Sequence, residues 1–160
     1  PEKLKRLSDF YIHSIEQPIQ PKQWNEMAFL CQNSPIDIAL DEELIGINTS
    51  DSSHMTELLE TIKPQYIILK PSLVGGLAAS DRWISLAESM GIGWWLTSAL
   101  ESNVGLNAIA QFAFSKHVSM PQGLGTGGLF TNNFDSPLYI QREFLMHQPE
   151  KNWNLTSLLK

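Results

Sequence analysis

Short apolar runs alternate with segments of helical spacing along most of this sequence, and this alternation is what most restricts its fold. Runs at 11–15, 36–40, 66–69 and 93–96 predict strands, and each is followed by apolar residues repeating at the spacing of one helix face. A helix after each strand returns the chain so that the next strand runs in the same direction. The sequence therefore predicts an α/β fold with a parallel sheet and crossover helices.

The last part of the chain departs from this alternation. A short fifth strand is predicted at 122–124, and the segment 125–135 is rich in Gly and Asn. Two further strands, near 138–140 and 144–146, have no helix between them. We therefore predict two domains, a repeating strand–helix unit at 1–128 and a segment at 129–160 that leaves this unit and packs elsewhere.

Composition and charge exclude several classes of protein. The chain has 160 residues, 42% of them hydrophobic, which is enough for a folded core. Its net charge of -6 and the lack of Lys and Arg clusters argue against nucleic acid and anionic membrane partners. All apolar runs fall well short of the ~18 residues of a membrane span. The single cysteine, Cys31, permits no internal disulfide and agrees with a cytoplasmic protein.

Each of the four predicted strands ends in a polar residue just before the chain turns. These residues are Glu16, Asp41, Lys70 and Ser98, at intervals of 25, 29 and 28 residues. A (β/α)8 barrel of about 250 residues uses about 31 residues per unit, and its active site lies at the carboxyl ends of its strands. The spacing therefore indicates that these four residues line the carboxyl rim of a barrel.

The residue types at this rim indicate a particular chemistry. Two carboxylates on neighbouring strands are ligands suited to a hard divalent cation such as Mg²⁺ or Mn²⁺. A lysine on the next strand can act as an acid, a base or a counter-charge, and a nearby cation together with partial burial would lower its pKa. A metal and a lysine together can stabilise an enediolate. Taken singly, each residue is typical of a solvated loop, and Asp41-Glu42-Glu43 alone predicts an acidic turn.

Five local motifs occur in order at these strand ends. They are Glu16-Gln17-Pro18, Asp41-Glu42, the Lys-Pro-x-x-x-Gly pattern at 70–75, the Ser-x-x-Glu-Ser-x-x-Gly-Leu pattern at 98–106, and Gly-Leu-Gly-Thr at 123–126. Together they resemble the motifs that end strands four to eight in the muconate-lactonizing subgroup of the enolase superfamily. The resemblance implies a partial (β/α)-barrel, about strands 4 to 8, with a C-terminal return tail that packs toward an N-terminal capping domain.

The resemblance also implies a role for each matching residue. Glu16 and Asp41 would be the second and third ligands of the metal, Mg²⁺ or Mn²⁺. Lys70 would be the catalytic lysine that stabilises the charged intermediate. Three residues of the seventh motif would line the end of the pocket that holds the substrate's far carboxylate, namely Ser98, Ala99 and Leu100.

The sixth and seventh motifs are most similar to those of a dehydratase of this subgroup in bacterial menaquinone synthesis. They imply metal-dependent dehydration of a small carboxylate, a succinyl-cyclohexadiene carboxylate, to an aromatic product through an enediolate. An N-acylamino-acid racemase or a dipeptide epimerase is an alternative, because these enzymes are built on the same site. A non-enzymatic, flavodoxin-like α/β binding module is a third interpretation.

The resemblance places further parts of the family's site upstream of Pro1. These are the first metal ligand, a catalytic Lys-x-Lys and the capping domain. Lys3-Leu4-Lys5 matches the Lys-x-Lys pattern, but it ends only 11 residues before Glu16, too close for two intervening strands. We therefore predict that it belongs to a helix and that this chain by itself has no dehydratase activity.

Overall fold

The computed structural model describes residues 2–156 of the chain. The chain divides into two compact units, residues 1–95 and 96–160. None of the helices within 2–156 is long and apolar enough to cross a membrane. The domain boundary that the sequence predicts between 128 and 129 stays a prediction. The two predicted domains also include residues 1 and 157–160, which lie outside the described part.

The first unit alternates helices and strands as the sequence predicts. In chain order the elements are α1 (Glu2–Ser8), β1 (Ser14–Glu16), α2 (Trp24–Asn33), β2 (Asp37–Leu40), α3 (Ser52–Ile62), β3 (Tyr66–Leu69), α4 (Leu77–Ser89) and β4 (Gly93–Leu96), whose last residue begins the second unit. The strands lie in the order β1-β2-β3-β4, and β1 with β2 and β2 with β3 are parallel. The predicted α/β fold with a parallel sheet is confirmed.

Apolar residues at the predicted spacings form the core of this unit. Leu40, Ile67 and Leu69 on the strands are fully buried. The buried face of α3 consists of the residues whose helical spacing the sequence displays, namely Met55, Leu58, Leu59 and Ile62. Burying each large aliphatic side chain contributes about 1.5–3 kcal/mol, so these periodic positions hold the helices on the sheet.

A half-buried glutamine ties the amino ends of the strands to α2. The Gln65 side chain accepts a hydrogen bond from the Ile38 N–H at 2.9 Å and donates one to the Cys31 carbonyl at 3.2 Å. Cys31 lies on α2 and is buried, and this burial raises the pKa of its thiol to about 11. At the amino ends of the strands, Gln65 thus links β2 to α2 through hydrogen bonds that involve none of the predicted site residues.

The first strand is shorter than predicted. The sequence indicates a strand at 11–15, but β1 begins at Ser14. Tyr11 lies in the turn that follows α1, has a φ of +53° and is almost fully exposed, so it does not join the strand. The predicted assignment of Lys3 and Lys5 to a helix is confirmed, since both lie in α1.

The second unit contains α5 (Asn103–Ser115), a 3-10 turn at Gly125–Gly128, and an antiparallel hairpin of β5 (Leu138–Gln141) and β6 (Phe144–His147). The hairpin confirms the two helix-free strands expected near the end of the chain. The predicted fifth strand at 122–124 is reduced to one parallel bridge between Thr97 and Gly123. A glycine fits there because a Cβ would lie 2.4 Å from the Thr97 hydroxyl.

Candidate functional site

Three of the predicted site residues meet at the carboxyl edge of the sheet. Glu16 is the last residue of β1, and Asp41 and Lys70 directly follow β2 and β3. The Lys70 ammonium donates a hydrogen bond to Asp41 Oδ2 and lies 3.8 Å from Glu16 Oε1. Because these strands are parallel neighbours, residues 25 and 29 positions apart become one cluster of two acids and one base.

Burial differs among the three side chains. The Asp41 side chain is 2% exposed, Lys70 20% and Glu16 54%. Partial burial, followed by a hydrogen bond with Asp41 and the negative charge of Asp41, raises the pKa of Glu16 to about 7, although Lys70 opposes this change. Glu16 therefore holds its proton more tightly than a solvated glutamate does.

The Lys70 ammonium remains charged at neutral pH. Burial acts to lower the pKa of Lys70, but the hydrogen bond to Asp41 and the negative charges of Asp41 and Glu16 outweigh it, so this pKa is raised. This direction applies without a bound metal, and the lowered pKa expected for a lysine beside a cation stays a prediction. In this arrangement the lysine is the counter-charge of the two acids, which suits it to stabilise negative charge rather than to accept a proton.

The backbone after Lys70 explains the Lys-Pro-x-x-x-Gly pattern. Two amides, those of Leu73 and Val74, donate to the Lys70 carbonyl at 2.8 and 3.1 Å. The turn then passes through Gly75, whose φ of +101° is a conformation that side chains with a Cβ rarely adopt. The pattern therefore describes a turn that fixes the lysine at the strand end and starts α4.

We expect Glu16 to titrate near neutral pH in the metal-free protein. Carbon NMR of the glutamate carboxyls should show one midpoint near 7, and Glu16→Gln should remove it. Added Mg²⁺ should lower that midpoint, because a cation favours the ionised carboxylate. A midpoint below about 5, close to that of a solvated glutamate, would contradict the described cluster.

The same pKa fixes the sign of a contribution to stability. The folded state binds this proton more tightly than the unfolded chain, for which the reference pKa is 4.5. This group's contribution is therefore most favourable below that value and decreases as the pH rises toward 7.

The other predicted site residues lie in the second unit, at the turn before α5. Ser98 is buried, and its hydroxyl donates to the Glu101 carboxylate and accepts from the amides of Leu100 and Glu101 at 3.0 and 3.3 Å. Leu100 has a φ of +66° and is 55% exposed, while Ala99 is half-buried. The Ser98 hydroxyl thus shapes the turn, and the pocket-lining role of these residues stays a prediction.

The sequence interpretation missed two polar residues beside the cluster, Gln17 and Glu43. Glu43 is only 4% exposed, so the alternative interpretation of 41–43 as a solvated acidic turn does not hold at this position. Its carboxylate accepts from the Lys22 amide at 2.7 Å, the Trp24 indole at 2.8 Å and the Gln17 amide at 3.3 Å. Only the position of Gln17 inside the Glu-Gln-Pro motif hinted at a role.

The donor set agrees in type with a hard divalent cation. Glu16 and Asp41 offer carboxylate oxygens, and the raised pKa of Glu16, caused first by burial and then by Asp41, reflects crowding of acids that a cation would relieve. Within residues 2–156 no group of three or more His, Cys, Asp or Glu side chains forms a complete metal site. The described residues therefore offer two carboxylates here, and a metal bound between them would need further oxygen donors.

Comparison with known proteins establishes the class to which this chain belongs. Residues 2–145 match the family described as enolase C-terminal domain-like. The chain is a member of this family, and the α/β fragment with its parallel sheet corresponds to the barrel-like domain of enolase-superfamily proteins. Enzymes of this superfamily generally use a divalent metal. The match disfavours the flavodoxin-like binding module.

Within this family, the chain is similar to individual enzymes of known name. Over 140 residues the chain is 60% identical to o-succinylbenzoate synthase of Desulfotalea psychrophila, a match covering 88% of this chain and 37% of that protein. It is 33% identical over 102 residues to the N-succinylamino acid racemase of Thermus thermophilus, covering 64% of this chain and 26% of that protein. The crystal structure of MenC from Desulfotalea psychrophila superposes with a TM-score of 0.86 at 57% identity, covering 91% of this chain and 40% of that one.

Proposed function

We propose that the protein containing this chain is a lyase that acts as an o-succinylbenzoate synthase. It would dehydrate a succinyl-cyclohexadiene carboxylate in menaquinone biosynthesis, in the cytoplasm. The observation that supports removal of a proton next to a carboxylate, the first step of this reaction, is the cluster of Glu16, Asp41 and Lys70 at adjacent strand ends. The 60% identity to a synthase supports the same reaction. Because the chain spans 37% of that relative, the proposal concerns the complete natural protein that contains this sequence.

Each residue of the cluster has a definite part in the proposed reaction. Glu16 and Asp41 would hold Mg²⁺ or Mn²⁺, which when bound supplies positive charge beside the substrate carboxylate. A base outside the described residues would take the proton from the carbon next to that carboxylate, which places negative charge on the carboxylate oxygens and gives an enediolate. Lys70, charged at neutral pH and held by Asp41, would stabilise this charge. The C–O bond of the ring hydroxyl then breaks, and the hydroxyl leaves as water with the proton that the base had taken, which gives the aromatic ring.

The remaining proposed contacts set which acid is bound. Ser98, Ala99 and Leu100 would line the pocket near the succinyl carboxylate. Ser98 is already engaged by the Leu100 and Glu101 amides, so we infer that it acts by fixing the turn that presents its neighbours.

An activity assay on the complete protein tests the proposal directly. We expect the ultraviolet spectrum of an aromatic product to appear with the cyclohexadiene substrate and Mg²⁺, and to be lost after chelation by EDTA. An intact-mass spectrum of the same sample identifies the polypeptide that is assayed. Lack of dehydration in a metal-loaded, folded sample would refute the synthase assignment.

A racemase is the second candidate, and the 33% identity to an N-succinylamino acid racemase favours it over other reactions. Both reactions begin by removing a proton next to a carboxylate, so the cluster alone serves either. Incubation of the complete protein with N-succinylamino acids in deuterated water separates them. Deuterium exchange at the alpha carbon without dehydration of the cyclohexadiene would replace the synthase by the racemase.

A further inference from the structure

Gln17 and Glu43 join the two loops that carry the proposed metal ligands. Gln17 directly follows Glu16, and Glu43 lies two residues after Asp41. The Gln17 side-chain oxygen accepts from the Asp41 and Glu43 amides at 3.1 and 3.3 Å. Its nitrogen donates to Glu43 Oε2 at 3.3 Å and to the Ile19 carbonyl at 3.1 Å. The side-chain oxygen of Gln17 thus accepts two hydrogen bonds and its nitrogen donates two, which is the full capacity of an amide group.

The other oxygen of Glu43 extends the connection back to the first loop. Glu43 Oε1 accepts from the Lys22 amide at 2.7 Å and from the Trp24 indole at 2.8 Å. A carboxylate that is 4% exposed is stable only when such bonds replace its hydration. The loop after β1 and the turn after β2 are therefore held together by one buried acid and one amide.

Backbone geometry shows that this connection is constrained. Gln17 has a φ of +34° and Lys22 one of +70°, although neither is a glycine. Such conformations cost about 1–3 kcal/mol and persist where surrounding contacts impose them. At Gln17 those contacts are the hydrogen bonds of its own side chain. At Lys22 the contact is the hydrogen bond that its backbone N–H donates to the Glu43 carboxylate.

We propose that Gln17 and Glu43 are positioning residues that set the separation of Glu16 and Asp41 and thereby the affinity of the metal site. This inference rests on the proposed function, since it takes Glu16 and Asp41 as ligands. Neither residue contacts substrate or reacting atoms in this assignment. Groups that orient ligands from behind typically change metal affinity by about 10- to 100-fold when replaced.

The test is a titration of the complete protein with Mn²⁺, in which the electron paramagnetic resonance signal reports the concentration of free Mn²⁺. We expect Gln17→Leu to weaken binding by about 10-fold or more. Gln65→Leu is the matched control, because Gln65 also bridges neighbouring elements but at the amino edge of the sheet. The Mn²⁺ affinity of that control should stay within about twofold of the parent, well below the loss of about 10-fold expected for a residue that supports a ligand.

A paired exchange distinguishes positioning from loss of stability. Glu43→Gln places an amide nitrogen against the Gln17 nitrogen, two donors facing each other, so Mn²⁺ binding should weaken. Adding Gln17→Glu restores a donor facing an acceptor between the two side chains while the net charge stays that of the parent. It also sets a carboxylate oxygen against the Ile19 carbonyl, which the Gln17 nitrogen bonds in the parent, so part of the affinity should return. Circular dichroism identifies the folded samples to be compared.

Three results would overturn the inference, in two distinguishable ways. Equal Mn²⁺ affinity in the parent, Gln17→Leu and Gln65→Leu proteins, or no recovery in the exchanged pair, would refute the positioning role while leaving the metal site intact. A parent protein that binds no Mn²⁺ would instead refute the proposed function on which the inference rests.

Discussion

Replacement of Lys70 by methionine is expected to reduce the turnover number of the complete protein by about 10²- to 10³-fold, the cost of removing one group that stabilises developing negative charge. The same change should destabilise the metal-free protein by about 3 kcal/mol, because Asp41 is left buried without its partner. This value is at the lower end of the range for buried pairs, since Lys70 keeps 20% of its exposure. Steady-state kinetics and urea unfolding at pH 7 measure the two effects.

Lys70→Arg separates the two roles of the lysine. Arginine keeps the charge beside Asp41, so most of the stability should return. The planar guanidinium differs in shape from an ammonium and should leave the turnover number low. If Lys70→Met retained activity within tenfold of the parent, against the 10²-fold minimum expected here, Lys70 would have no part in the proposed chemistry.

Asp41→Asn should weaken Mn²⁺ binding to the complete protein by more than about 100-fold, beyond the effect of residues that only support a ligand. It removes the buried carboxylate that would hold the metal and that also pairs with Lys70. The pKa of Glu16 should fall at the same time, because the bond to Asp41 and its charge help to raise it. Titration with Mn²⁺ and carbon NMR of Glu16 measure both outcomes.

Asp37→Asn is the matched control for this substitution. Asp37 begins the same strand, β2, is exposed and lies at the opposite end from Asp41. The same chemical change there should alter neither Mn²⁺ affinity nor the Glu16 midpoint. Comparable losses in both variants would show that a general effect of charge, rather than coordination by Asp41, explains the result.

The strands and the residues at their ends were predictable from the sequence because local rules determine them. The apolar run at 66–69 became β3 with the predicted bounds, and Lys70 stayed at its end because Pro71 and the turn at Gly75 stop the strand. Parallel pairing then brings Glu16, Asp41 and Lys70 together. The family resemblance added the roles of these residues, which spacing alone leaves open.

The Gln17 and Glu43 contacts were beyond prediction because they depend on tertiary structure. Glu43 sits in an acidic run that looks solvated, and it is buried only because Lys22 and Trp24, 21 and 19 residues earlier, fold over it. The start of β1 was misplaced for a related reason. Tyr11 favours a strand by type, but the left-handed turn after α1 takes it out of the sheet.

The buried thiol of Cys31 gives this sequence its own sensor of local opening. Burial raises the pKa of the thiol to about 11, so very little reactive thiolate is present at neutral pH while the first unit is closed. Cys31 lies on α2 and is buried, so alkylation requires a local opening that exposes its thiol. The rate at which a maleimide labels Cys31 therefore measures how often this part of the first unit opens.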